Sequence, residues 1–124
     1  MALAHSQLAP IVAAVLAVNN FKLDRAWALM PAFESAGLLD PEQVADRDLS
    51  DLTPQVFAAG FQRGLLTEMM AGRVRDVMRA AQAGKLDGLS ACVASGDREG
   101  AVALLCTVKG IGPKVAGDAW MLMT

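Results

Sequence analysis

Leu104-Leu105-Cys106-Thr107-Val108-Lys109-Gly110-Ile111-Gly112-Pro113-Lys114-Val115-Ala116 reads as a helix, a tight turn and a second helix. Each residue type has a reason to be there. Gly110 and Gly112 permit backbone conformations closed to other residues and let another molecule approach the chain. Ile111 between them is the apolar plug that ties the turn to a core. Pro113 suits the first position of the following helix, where its missing N–H costs nothing. The free N–H groups at that helix start point outward beside the glycines and form an anion site suited to phosphate. Lys109 and Lys114 flank it. An ordinary helix–helix connection also uses Gly and Pro, so a bare Gly-x-Gly would carry little. The longer string, with phased apolar residues before it and Lys114-Val115-Ala116 after it, carries more.

Working outward, nearly every segment reads as helix, because Ala and Leu dominate and no stretch alternates as a strand does. A first, Ala-rich helix is expected over residues 6–18, capped by Ser6, buried, with Pro10 early enough to be tolerated. Asn19-Asn20 ends it. Asp24 is expected to cap a second helix in which Trp27, Met30 and Phe33 face inward, kinked at Pro31 and closed by Gly37. Asp40-Pro41 restarts a short helix, and Thr53-Pro54 does the same again, leading to Phe57. Gly60 and Gly64 bracket a turn. A long amphipathic helix follows over residues 65–83, with Leu66, Met70, Val74, Val77, Met78 and Ala81 as its apolar stripe and Arg63, Arg73, Arg75 and Arg79 on or beside it. Residues 86–94 form a short helix closed by Ser95-Gly96, and Asp97 caps one running to about Val108. The expectation is a single all-α domain over residues 1–124, a multi-helix bundle or orthogonal barrel ending in the hairpin.

Composition narrows the function classes. Of 124 residues, 54% are hydrophobic and the net charge is only -2, which excludes disorder and leaves material for a real core. Cys92 and Cys106 are too few for a disulfide framework or a Cys-rich zinc site, and are expected to be reduced and buried. His5, the one histidine, stands without a partner for a catalytic triad. The apolar run from Leu8 to Val18 is far shorter than the ~20 residues of a membrane helix, and no basic region of a signal peptide precedes it. The cytoplasm is therefore the expected compartment, with no membrane partner. With few aromatics, a stacking platform for single strands is not expected. Overall acidity weighs against holding nucleic acid by bulk charge. The charge is uneven, however: residues 1–62 carry three bases against seven acids, and residues 63–124 eight bases against six acids. The basic half holds the hairpin.

The hairpin string resembles the helix-hairpin-helix of DNA repair proteins, in particular that of the endonuclease III and 8-oxoguanine glycosylase superfamily. In that superfamily the hairpin closes a barrel of about six helices, and several helices precede it here. Val15-Leu16-Ala17-Val18-Asn19-Asn20 resembles the end of the family's early helix, where a polar residue enters the duplex. Gly60-Phe61 through Arg73-Val74 resembles the Gly-aromatic turn that begins a long helix. The resemblance implies double-stranded DNA as partner, with contacts at Lys109, Gly110, Ile111, Gly112 and Lys114, and a strand-filling role for Asn19 or Asn20. A helix C-cap or turn is the competing reading of that Asn pair. The resemblance implies no resident metal or organic cofactor, beyond a monovalent cation in the hairpin.

Lys114 occupies the position of the Schiff-base lysine in family members with lyase activity, a nucleophile toward the sugar C1′ when its amine is neutral. Asp118, four residues on, shares its helix face; a pair would hold the amine protonated. The iron–sulfur cysteines of the endonuclease III branch are absent. The family's essential Asp falls beyond the second hairpin helix and a further loop, and the sequence ends at Thr124. A non-catalytic or lesion-sensing DNA-binding module is therefore the first expectation. A glycosylase or AP lyase using Lys114, with the Asp supplied by a partner or not needed, is the second. A protein-interaction domain that lost DNA binding is the third. The apolar end Ala119-Trp120-Met121-Leu122-Met123 is expected to bury in the core or against a second copy or partner domain.

Overall fold

The computed structural model describes residues 5–18 and 20–124. Nine helices follow one another among them: α1 (His5–Leu16), α2 (Leu23–Ala28), α3 (Met30–Ser35), α4 (Pro41–Val44), α5 (Leu49–Ala58), α6 (Leu66–Gln82), α7 (Leu89–Ser95), α8 (Arg98–Leu105) and α9 (Pro113–Met123). No strand occurs among the described residues.

The Ala-rich first helix is the axis of the packing. Every residue from Leu8 to Ala17 is buried, as a helix apolar on all sides must be. It is flanked by α2, α3, α6 and α9. The small side chains of Ala9, Ala13, Ala14 and Ala17 let neighbouring helices approach, while Leu8, Ile11 and Leu16 fill the gaps between them. Pro10 lies inside α1 and is itself buried. The helix already includes His5, so Ser6 is not its cap.

Gly37 shows how these helices stop. It has φ +75°, with the Leu38 amide donating to the Phe33 carbonyl at 2.9 Å and the Gly37 amide to Glu34 at 3.0 Å. That paired closure satisfies two carbonyls the helix leaves open. The same two-bond pattern ends α5 at Gly60, α6 at Gly84 and α7 at Gly96. Two starts are capped as expected: Asp40 accepts from the Glu42 amide at 3.0 Å, and Asp97 from the Gly100 amide at 2.9 Å.

Four local expectations are corrected. Asp24 does not cap α2; Lys22 holds the extended cap position and Asp24 lies in the first turn, where its carboxylate accepts from the Arg25 amide. Trp27 is not inward but 41% exposed. The chain breaks at Leu29 and restarts with Pro31 near the start of α3, so a three-residue spacing does not carry Trp27 onto the buried face of Met30 and Phe33. Thr53-Pro54 does not start a helix. Asp48, with φ -66° and ψ 146°, already begins α5, and Pro54 lies within it, forfeiting one backbone bond. Cys92 is only half-buried and Cys106 is exposed, because α8 ends at Leu105 and Cys106 falls in the solvent-facing turn.

α6 delivers its stripe as the periodicity demands: Met70, Val74, Val77 and Met78 are buried, and Leu66 and Ala81 partly so. Its polar side ties down α4. Arg79 Nε donates to the Ala45 carbonyl at 2.8 Å and Arg75 Nη1 to the Arg47 carbonyl at 3.1 Å. The Ala45 carbonyl is left open at the C-cap of α4, where positive charge is favourable, and the Arg47 carbonyl lies in the connection to α5. Of the described residues, no helix is long and apolar enough to cross a membrane. The end of α9 is incompletely covered: Ala119 is buried, Trp120, Leu122 and Met123 are half-buried, and Met121 is 58% exposed.

Candidate functional site

α8 and α9 pack on one another, and residues 106–112 connect them. The connection turns at Gly110, whose φ is +90°, a region costly to residues with a Cβ. The Ile111 amide donates back to the Val108 carbonyl at 3.1 Å. The Val108 and Ile111 side chains are buried, so they pin the turn to the core, and Ile111 offers its neighbours shape and not contact surface. Gly112 holds the cap position of α9 in extended conformation, φ -99° and ψ -177°, with Pro113 first in the helix. The Ala116 amide donates to the Gly112 carbonyl at 2.9 Å, while the amides of Gly110, Gly112, Lys114 and Val115 have no hydrogen-bond partner among the described residues. Open amides around a helix start are a site for an anion.

Lys109 and Lys114 stand at either side and are both exposed. Lys114 Nζ lies 3.1 Å from Asp118 Oδ2, with 81% of the lysine side chain in solvent. A pair so exposed is weak, and the amine is free to leave Asp118 for a phosphate.

Tertiary packing adds residues from the other end of the chain. α1 and α9 lie side by side, so the turn after α1 faces the start of α9. Ala17, Val18, Asn20, Phe21, Lys22 and Lys114 line one open depression of about 630 Å³. Asn20 is exposed with φ +71°, a left-handed conformation that Asn tolerates. It thus serves as a turn residue and also projects beside Lys114. Asn19 lies outside the described residues.

Phe21 anchors two further cations. Its ring packs edge-on against Phe61, with centroids 5.1 Å apart, and carries Arg25 Cζ at 4.9 Å and Arg63 Cζ at 5.3 Å. Cation–π attraction holds these guanidiniums on Phe21, which itself lines the depression. Lys22, Arg25 and Arg63 were not among the residues singled out by motif. Lys22 and Arg25 come from the acidic half of the chain, and only the fold brings them to the basic half.

A second, smaller depression of about 210 Å³ adjoins the first through Val18. Val15, Val18, Met69, Met70, Arg73 and Gly110 line it. A Cβ built on Gly110 would collide with Arg73 Nη1 and lie 2.8 Å from Arg73 Cδ. The positive charge seated against the turn is thus this guanidinium. Among the described residues no group of three or more His, Cys, Asp or Glu side chains is gathered to hold a metal.

No protein-family model matches the chain, and neither a curated protein nor a solved structure does.

Proposed function

We propose that this chain is a DNA-binding module of the DNA-repair type, its helices arranged as in helix-hairpin-helix proteins, working on duplex DNA in the cytoplasm. One observation carries the reading. Asn20, Lys22 and Lys114 line a single open depression directly beside the unpartnered amides of the Gly110–Gly112 turn. The amides and Lys114 take the phosphates of one strand, and Asn20 stands where it can enter the groove or fill a gap in the base stack. Binding of this kind needs little net charge, because backbone donors and the helix start supply much of the attraction. That reconciles a chain of net charge -2 with a polyanionic partner. The partly uncovered end of α9 supports, as a secondary feature, self-association through Met121 and its neighbours. A concentration-independent monomer in sedimentation would overturn it.

Titration of a labelled duplex at several salt concentrations tests the reading. Lys114→Glu is expected to weaken binding well beyond Lys85→Glu, which changes the net charge equally from beyond the end of α6. Equal losses would mean bulk charge alone, and undetectable binding by the unaltered chain would remove DNA as the partner.

A further inference from the structure

α6 carries three arginines on its middle turns, and they are treated differently by the fold. Arg79 donates through Nε to the Ala45 carbonyl and Arg75 through Nη1 to the Arg47 carbonyl, and Arg75 Nε is buried without a partner. Arg73 is partly buried among Val15, Val18, Met69 and Met70, yet makes no hydrogen bond or ion pair with any described residue. Its guanidinium lies against Gly110. A guanidinium stays charged at any ordinary pH and presents five donors in a planar fork. Its nitrogens are not among the buried polar atoms that lack a partner, so the fork reaches solvent and is open to a ligand. The apolar walls lower the local dielectric and so strengthen whatever anion reaches it.

We propose that Arg73 is a phosphate ligand: with the Gly110 amide it forms a clamp for one phosphodiester of the duplex, beside the phosphate held at the start of α9. The inference rests on the DNA reading above. The fork supplies two parallel N–H···O bonds to a phosphodiester, and the absence of a side chain at Gly110 leaves the guanidinium room to lie against the turn. The clamp also accounts for the small depression of about 210 Å³, which is lined by apolar side chains apart from this one cation.

The test is the salt dependence of duplex affinity for the full chain, with folding checked by thermal unfolding. Loss of one phosphate contact lowers the slope of log K against log salt by about 0.9. Arg73→Gln is expected to show that drop together with at least a five-fold weaker Kd at low salt. Arg73→Lys keeps the charge without the fork and is expected to recover the slope but only part of the affinity. Weaker binding with an unchanged slope would assign Arg73 to holding the turn, and overturn the clamp. An unchanged Arg73→Gln beside a weakened Lys114→Glu would overturn the clamp and leave the DNA reading standing. If the unaltered chain shows no binding, the DNA reading fails with it; if it binds and both variants bind equally well, the clamp and the site at the start of α9 are both overturned. Inorganic phosphate alone is the final arm: if it protects the unaltered chain thermally and Arg73→Gln does not respond, while duplex slopes agree, the site serves free phosphate and not DNA.

Discussion

Replacing Gly112 with Asp should move stability and DNA affinity in opposite directions. Gly112 is the cap residue of α9, its backbone is already in the extended cap conformation, and its side-chain position makes no cap bond. Its φ of -99° admits any residue, and a Cβ there meets nothing within 4 Å. An Asp carboxylate can accept from the open Lys114 or Val115 amide, which no described residue now engages. Relative to Gly this cap gains only a few tenths of a kcal/mol, with a further contribution on the order of 0.3–1 kcal/mol from negative charge at a helix start. For a domain of this size the melting temperature should rise by about 2–5 °C. The same carboxylate sits where a phosphate is to bind. At about 5 Å, two unit charges repel by about 1–3 kcal/mol for an effective dielectric between surface protein and water, which corresponds to roughly 5- to 150-fold weaker binding. Differential scanning fluorimetry and anisotropy titration on one preparation measure both. A raised melting temperature with unchanged affinity would refute the phosphate site at α9, and a lowered one would refute the cap reasoning.

Three further outcomes follow from the geometry. Lys114 is exposed and its Nζ is engaged by the Asp118 carboxylate, so borohydride should trap no adduct on duplex with an abasic site; a trapped product lost in Lys114→Ala would restore the lyase reading. Gly110→Ala should cost about 1–3 kcal/mol by denaturant unfolding, from strain at φ +90° and collision with Arg73; combining it with Arg73→Ala should recover part of the loss, and full additivity would contradict the contact. Asp97→Ala removes the acceptor of the Gly100 amide and should cost about 1 kcal/mol, read as a lower denaturant midpoint with an unchanged slope; no change would mean the cap is replaced by water at no loss.

Signals carried within a few residues were legible without the fold. The Gly-Ile-Gly-Pro string predicts a turn with a buried plug and a helix starting at Pro113, and Gly110, Ile111 and Pro113 behave so. Asp40 and Asp97 cap helices as their local patterns require. The stripe on α6 follows from the period of 3.6 residues. Where a local rule met a competing one, it failed. Pro31 breaks the helix after Trp27, so spacing counted across the break misassigns the Trp face; at α5 the upstream Asp48 start makes Thr53-Pro54 an interior pair.

Chain-local chemistry thus determined that this protein is helical, where most helices stop, and that a glycine turn sits between Val108 and Lys114. Only the tertiary structure decided which cations share that turn. The four arginines at positions 63, 73, 75 and 79 are equivalent as letters on and beside one helix, yet one packs on Phe21, one lies against Gly110 and two bind carbonyls of the stretch after α4. Likewise Asn20 and Lys22 meet Lys114 across more than ninety residues because α1 and α9 pack together. Capping and periodicity are set by backbone bonds a few residues long. Which helices lie side by side is set by how buried side chains from the whole chain fill one core, and no single segment contains that information.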